Sequence, residues 1–178
     1  LEKSCISINL KSKAMKSILT ILLICMFTTT IKATVLVVDN NINNTTAYAL
    51  FQDAVNAAIA GDTIYVQPSN IVYDSPTLDK TLMIFGAGRR PNKQNQARSK
   101  VANIFLELGC DGSEIHGMVV TVIRATGINV SNITITKCEL GRLEINGDNF
   151  FVENCVLKLS GFDYCVRVFD GPNNTPRN

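Results

Sequence analysis

LFQDAVNAAIAGDTIYVQPSNIVYDSPTLDKTLMIFGAG, residues 50–88, changes its apolar period within one stretch. Leu50, Phe51, Ala54, Val55, Ala58 and Ile59 recur at helical spacing and define one apolar face. Thr45 or Thr46 is placed to cap the start of this helix, and Gly61 to end it in the left-handed conformation. Asp62-Thr63-Ile64-Tyr65-Val66 then switches to period two, with Ile64 and Val66 on one face among β-branched and aromatic neighbours. Thr81-Leu82-Met83-Ile84-Phe85 is a second β-rich run, closed by Gly86-Ala87-Gly88. One short helix beside a series of short strands predicts a helix used as a lid on a stack of strands.

The string Phe51-Gln52-Asp53-Ala54-Val55-Asn56-Ala57-Ala58, followed by Gly61-Asp62-Thr63-Ile64-Tyr65-Val66 and Pro68, resembles the opening of right-handed parallel β-helix proteins of the pectate-lyase-like superfamily. The second strand ending in Gly-Ala-Gly fits that pattern, and the resemblance runs over roughly residues 34–169. It implies an all-β fold, a right-handed parallel β-helix with a short N-terminal capping α-helix. It also implies a polysaccharide as partner, although a fold does not fix a function. Polysaccharide lyases of this fold use Ca²⁺ and a basic residue to remove a proton beside a uronate carboxylate.

The remainder of the chain reads as a repeat. Segments beginning Glu114-Ile115-His116-Gly117, Asn132-Ile133-Thr134-Ile135 and Asn149-Phe150-Phe151-Val152 superpose. This alignment puts Ile115, Ile133 and Phe150 at one inward position, Gly117, Ile135 and Val152 at the next, and Val120, Cys138 and Cys155 at a third. A second strand set falls between them at Phe105-Leu106-Glu107-Leu108, Ile123-Arg124-Ala125, Leu143-Glu144-Ile145 and Val166-Arg167-Val168. Each unit is too short to bury its own apolar face, whereas units stacked about 4.8 Å apart bury a continuous core. Gly109, Gly112, Gly127, Gly141, Gly147 and Asp148 supply corners. An antiparallel sandwich also has short strands and frequent turns, but Asn146-Gly147 is the only hairpin-type link in the sequence, and the in-register superposition favours the β-helix.

A chain of 178 residues allows one domain. Residues 1–33 hold five of the 17 basic residues and one of the 15 acidic ones, leaving a slightly acidic remainder that offers nucleic acid no basic face. Met15-Lys16, the apolar run from Ile18 to Phe27 and the small Ala33 read as upstream residues plus a signal peptide, with residues 34–178 as the β-helix domain. The apolar run is short for a membrane span, and Ile24 before Cys25 lacks the small residue of a lipoprotein signal. The expected location is therefore secreted or cell surface, with no membrane contact after cleavage.

Several residues are candidates for chemistry. Glu107, Arg124, Glu144 and Arg167 line up as an outward column of alternating charge. It reads either as a register-fixing ladder or as a sugar-binding groove in which guanidinium grips carboxylate and Glu bonds hydroxyls. His116, Thr134 and Phe151 form the neighbouring column, with the single histidine as a base or as a plain surface residue. Glu107, Asp111 and Glu114 cluster around a turn at a spacing that suits Ca²⁺, but match no ligand pattern of the lyases. Arg89-Arg90-Pro91-Asn92-Lys93 resembles the start of the lyase Arg-x-Pro-x-x-Arg motif, with Gln94 where the last Arg falls. The loop of residues 89–100 carries five basic residues and no acid, which suits an acidic glycan or simple solvation. Cys138 and Cys155 stack inward on adjacent coils, where a disulfide fits and reduced packing is the commoner arrangement. The chain has no CxxC, one His and no phosphate-loop ending after Gly88, so no cofactor is expected.

No complete catalytic constellation is present. The tail after Phe169 carries no closing helix or polar coil, so the chain reads as the N-terminal part of a longer β-helix. Any lyase or hydrolase coils would then lie mostly outside it, and the uncapped end offers a route to self-association. The functional expectation is an exported protein that binds or processes a polysaccharide; a non-enzymatic surface or adhesive scaffold is the alternative.

Overall fold

The computed structural model describes residues 33–41, 47–88, 97–125, 130–158, 161 and 164–168. The signal segment up to Lys32, the Thr45 and Thr46 caps, the Arg89–Lys93 motif, Gly127 and the tail after Val168 lie outside the described residues. The elements are β1 (Val35–Val38), α1 (Phe51–Ala57), β2 (Thr63–Val66), β3 (Thr77–Leu78), β4 (Met83–Phe85), β5 (Lys100–Leu106) and β6 (Glu114–His116). They continue with β7 (Val119–Arg124), β8 (Thr134–Thr136), β9 (Glu139–Ile145), β10 (Phe151–Glu153), β11 (Val156–Leu157) and β12 (Val166–Val168).

The strands alternate between two parallel sheets. One runs β1-β2-β4-β6-β8-β10, and the other β3-β5-β7-β9-β11, with β12 also on β9. Each strand therefore pairs with its equivalent one coil away, which is a parallel β-solenoid of about four turns. A sandwich would need antiparallel ladders, and every ladder between named strands here is parallel.

Inward side chains form columns along the stack. Leu36, Ile64, Ile84, Ile115, Ile135 and Val152 are successive partners in the first sheet. Val101, Val120, Leu140 and Leu157 form a second column, and Ile104, Ile123, Leu143 and Val166 a third. In β9 the inward Leu140 and Leu143 stand three residues apart instead of two, because the strand turns a corner at Gly141. A Cβ at Gly141 would lie 2.6 Å from the Thr121 carbonyl oxygen of the coil before, so only glycine allows this approach.

The register differs from the sequence alignment by two residues in one coil. Ile115 pairs with Ile135, not with Ile133, and Gly117 aligns with Lys137. Strand alternation has period two, so a slip of two keeps every apolar residue on the inward face, and hydrophobic pattern alone cannot detect it. The corners decide it. Gly112, Asn132 and Asn149 begin the equivalent turns with φ of 75°, 60° and 57°, and Gly117, Lys137 and Asn154 end them with 64°, 55° and 55°. A left-handed position five residues after another left-handed position brackets each strand, and a lysine at one of them hides the pattern.

The helix closes the first coil, packing on β1, β2 and β3. Phe51, Ala54, Val55 and Ala58 are buried, whereas Leu50 and Ile59 are exposed. The Asp74 carboxylate caps its start, accepting from the Phe51 and Gln52 N–H groups at 2.6 and 2.9 Å. Lys80 Nζ donates to the Val55 and Ala58 carbonyls at the other end. The helix stops at Ala57, and Gly61 (φ 90°) serves the turn into β2 instead of ending it. Asp62 is buried and accepts from the Thr34 and Ile59 N–H groups. Burial alone would raise its pKa, and those backbone bonds outweigh it and hold the carboxyl below its usual range.

Ile135 is fully buried between Ile115 and Val152, while Val152 in the last described coil is 39% exposed. Ile135→Ala is expected to cost about 2–5 kcal/mol, as for a large-to-small core change, and Val152→Ala well under half of that. Urea unfolding midpoints of the two variants check the difference.

Candidate functional site

The strongest concentration of charge lies on the wall formed by the second halves of β7 and β9 together with β12. Arg124 pairs in register with Glu144, and Glu144 with Arg167, so three of the four residues expected in the charged column stand together. The fourth does not. Phe105 occupies the position next to Arg124, and Glu107 lies two residues further on, exposed in the turn after β5. The cause is the same two-residue slip, which preserves inside and outside but moves each residue along the coil.

Glu144 is a residue of this wall, yet only 4% of it is exposed. Arg124 Nε donates to its Oε2. The Tyr164 hydroxyl donates to Oε1 at 3.1 Å, and Arg142 Nε lies 3.4 Å from the same oxygen. Arg142 and Arg167 each donate to the Tyr164 hydroxyl, at 3.4 and 3.1 Å. Their guanidinium carbons stand 5.5 and 5.4 Å from the Tyr164 ring centroid, within cation–π range. Burial would raise the Glu144 pKa; the bonds from Arg124 and Tyr164 and the nearby Arg142 outweigh it and hold the carboxyl below its usual range. Sequence reasoning missed Arg142 and Tyr164. The signal for Arg142 is Leu140-Gly141-Arg142-Leu143, where the apolar spacing lengthens to three at the corner. Tyr164 sits in the link before β12 and has no periodic signal.

A second carboxylate on β9 repeats the arrangement. Glu139 accepts from Arg98 at 3.0 Å and from Lys158 at 2.8 Å, one cation from an earlier coil and one from the next. Burial would raise its pKa, and the two cations more than offset this. Arg98 thus belongs to the wall and not to a freely solvated loop, and Lys100 begins β5. A shallow depression of about 170 Å³ lies over the Gly141 corner, bordered by Thr121, Glu139 and Lys158.

His116 does not stand beside Thr134 and Phe151. Its register partners are Phe85 and Thr136, and Thr134 and Phe151 align with Glu114. The imidazole stacks on Phe85 with centroids 4.7 Å apart, and Phe85 on Tyr65 at 5.4 Å. Its Nδ1 is 2.7 Å from Thr136 Oγ1 and its Nε2 is 2.9 Å from Glu114 Oε2. A hydroxyl, an imidazole and a carboxylate in sequence have the order of a nucleophile relay. The backbone donors beside Thr136 are already used in the stack, Gly117 N–H on the Thr136 carbonyl and Lys137 N–H on the Glu153 carbonyl, so they offer no oxyanion site. The rings stack face to face along the solenoid, presenting edges to solvent instead of a flat platform for a sugar.

The proposed Ca²⁺ cluster is not assembled. Asp111 accepts from the Ser131 N–H at 2.6 Å, Glu114 is engaged with His116, and among the described residues no group of three His, Cys, Asp or Glu could hold a metal. Cys138 and Cys155 are free thiols in register on adjacent coils, and burial pushes the Cys138 thiol up to about 12. No described helix is long and apolar enough to cross a membrane.

Comparison with family models, with curated proteins and with solved structures returns no match for this chain.

The Glu144 carboxylate is more acidic folded than unfolded, so it stabilises the fold above the unfolded glutamate value of about 4.3. That contribution is lost as pH falls through the lower folded value. Glu144→Gln is therefore expected to be less stable than the parent at neutral pH, with the gap closing as pH drops below about 4. Unfolding midpoints measured from pH 7 to strongly acidic buffer check this; a gap that does not change with pH counts against it.

Proposed function

We propose that this chain is an exported β-solenoid that binds an acidic polysaccharide along its wall without turning it over. The observation that carries the reading is the convergence of Arg124, Arg142 and Arg167 with Tyr164 on one short length of the stack. Three guanidinium groups and a phenol give fork-shaped donors and a ring at a spacing set by the coils, which suits carboxylate-bearing sugars presented in a row. The sequence of residues 1–33 supports export, and the resemblance to pectate-lyase-like β-helices supports the class of ligand.

Binding is favoured over catalysis by the state of the carboxylates. A general acid must be protonated near the working pH, and Glu144 and Glu139 are both held ionised by their cations. The alternative, a scaffold with no glycan ligand, is favoured by the same cations acting only as ladders that fix the register.

Affinity electrophoresis through gels containing polygalacturonate, or its methyl-esterified form, separates the two. Retardation by the acidic polymer alone is expected, with Arg167→Gln weakening it by about tenfold, or 1.4 kcal/mol. Arg167→Gln is preferred to Arg124→Ala because it leaves the Arg124–Glu144 bond in place. Equal mobility in both gels, or full retention by Arg167→Gln, overturns the glycan reading and leaves the scaffold.

A further inference from the structure

We propose that the last described coil is a homodimer interface, in which two copies of this chain meet tail to tail about a two-fold axis perpendicular to the stack. The coil made by β10, β11 and β12 exposes Phe151, Val152, Leu157, Val166 and Val168. Val152, Leu157 and Val166 continue the inward columns. Their partners one coil earlier, Ile135, Leu140 and Leu143, are at most 1% exposed. The exposed surface is thus the next layer of the interface that the coils already make with one another. β10 is the terminal strand of its sheet, and β11 and β12 each pair only with β9. Such edges call for another polypeptide's strands and not for a small molecule.

The occupant follows from the two ends of the stack. At the other end, β1 already bonds to Tyr48 through the Asp39 and Tyr48 N–H groups, and α1 packs beside it. Residues 33–79 also hold five Asp and no Lys or Arg, so two such ends repel. Lys80 does not offset this, being engaged with helix carbonyls and Asp79. The tail carries both signs on different walls: Asp148 and Glu153 lie on or next to β10, and Lys158 and Arg167 on the β11 and β12 sides. A two-fold axis through the β11 side lays β10 of one copy beside β12 of the other. It sets Glu153 toward the partner's Arg167 twice, as an isologous contact requires.

The test is the oligomeric state of the full chain, by sedimentation equilibrium over a dilution series. A closed dimer is expected. Val152→Lys is expected to raise the dimer dissociation constant by well over tenfold while circular dichroism stays unchanged. Glu153→Arg and Arg167→Glu each weaken the dimer, and the variant carrying both restores it, a rescue that lost folding cannot produce. A monomer at every concentration overturns the proposal and assigns the surface to the chain's own residues after Val168. Growth beyond a dimer, or a dimer indifferent to Val152→Lys, also overturns it.

Discussion

A strand of three residues, such as β6 or β8, cannot satisfy its own backbone or bury its own apolar side chain. Everything in this fold depends on the neighbouring coil supplying both. The Ile84–Ile115–Ile135 column exists because the coils lie one ladder apart, and the ladder exists because those side chains fill the space between the walls. Dispersion and apolar burial reward any coil placed on the stack, but they do not distinguish a coil shifted by two residues from one correctly placed. Register must come from elsewhere, and two devices provide it.

The first is backbone conformation at the corners. Gly112, Asn132 and Asn149, with Gly117, Lys137 and Asn154, take left-handed dihedrals at equivalent points, and a two-residue slip would force residues such as Thr134 or Glu139 into them. Asn149 also donates its side-chain amide to Asn132 at 3.2 Å, tying one corner to the next. The second device is charge. Arg124–Glu144–Arg167 and Arg98–Glu139–Lys158 each place a carboxylate between cations from other strands, and a slip would leave a nearly buried Glu144 without its partners. Corner and charge act on different walls, so each coil is fixed at more than one point around its circuit.

These two devices explain what could be read from the sequence and what could not. The helix and the strands around Ile64 and Ile84 are legible because their apolar periods are local and change sharply at Gly61. The parallel stack is legible because the repeat recurs. Cys138 over Cys155 and Arg124 over Glu144 are legible because their coils carry clear markers. Glu107 and His116 were placed one step wrong because the first coil of the alignment lacks such a marker at the residue that matters, and Lys137 occupies a position usually read as glycine. Arg142 and Tyr164 were invisible for a different reason. Their meeting is a property of the Gly141 corner and of a link between strands, where side-chain direction follows no period.

The same physics links the register device to the binding reading. A guanidinium that must lie against Glu144 to hold the coil is already desolvated, oriented and stripped of much of its rotamer freedom. Ordering it against a ligand carboxylate costs less than ordering a free surface arginine would. Arg142 and Arg167 are similarly held against Tyr164, which fixes the planes of both forks along the stack. A ladder that evolved only to keep coils aligned therefore has the rigidity that a repeating acidic ligand needs. Its spacing of about 4.8 Å between coils is close to the length of one pyranose residue. Structural and binding roles of this wall are thus consequences of one arrangement, and the methylation state of the polymer distinguishes them because it removes the ligand's charge and leaves the protein's ladder untouched.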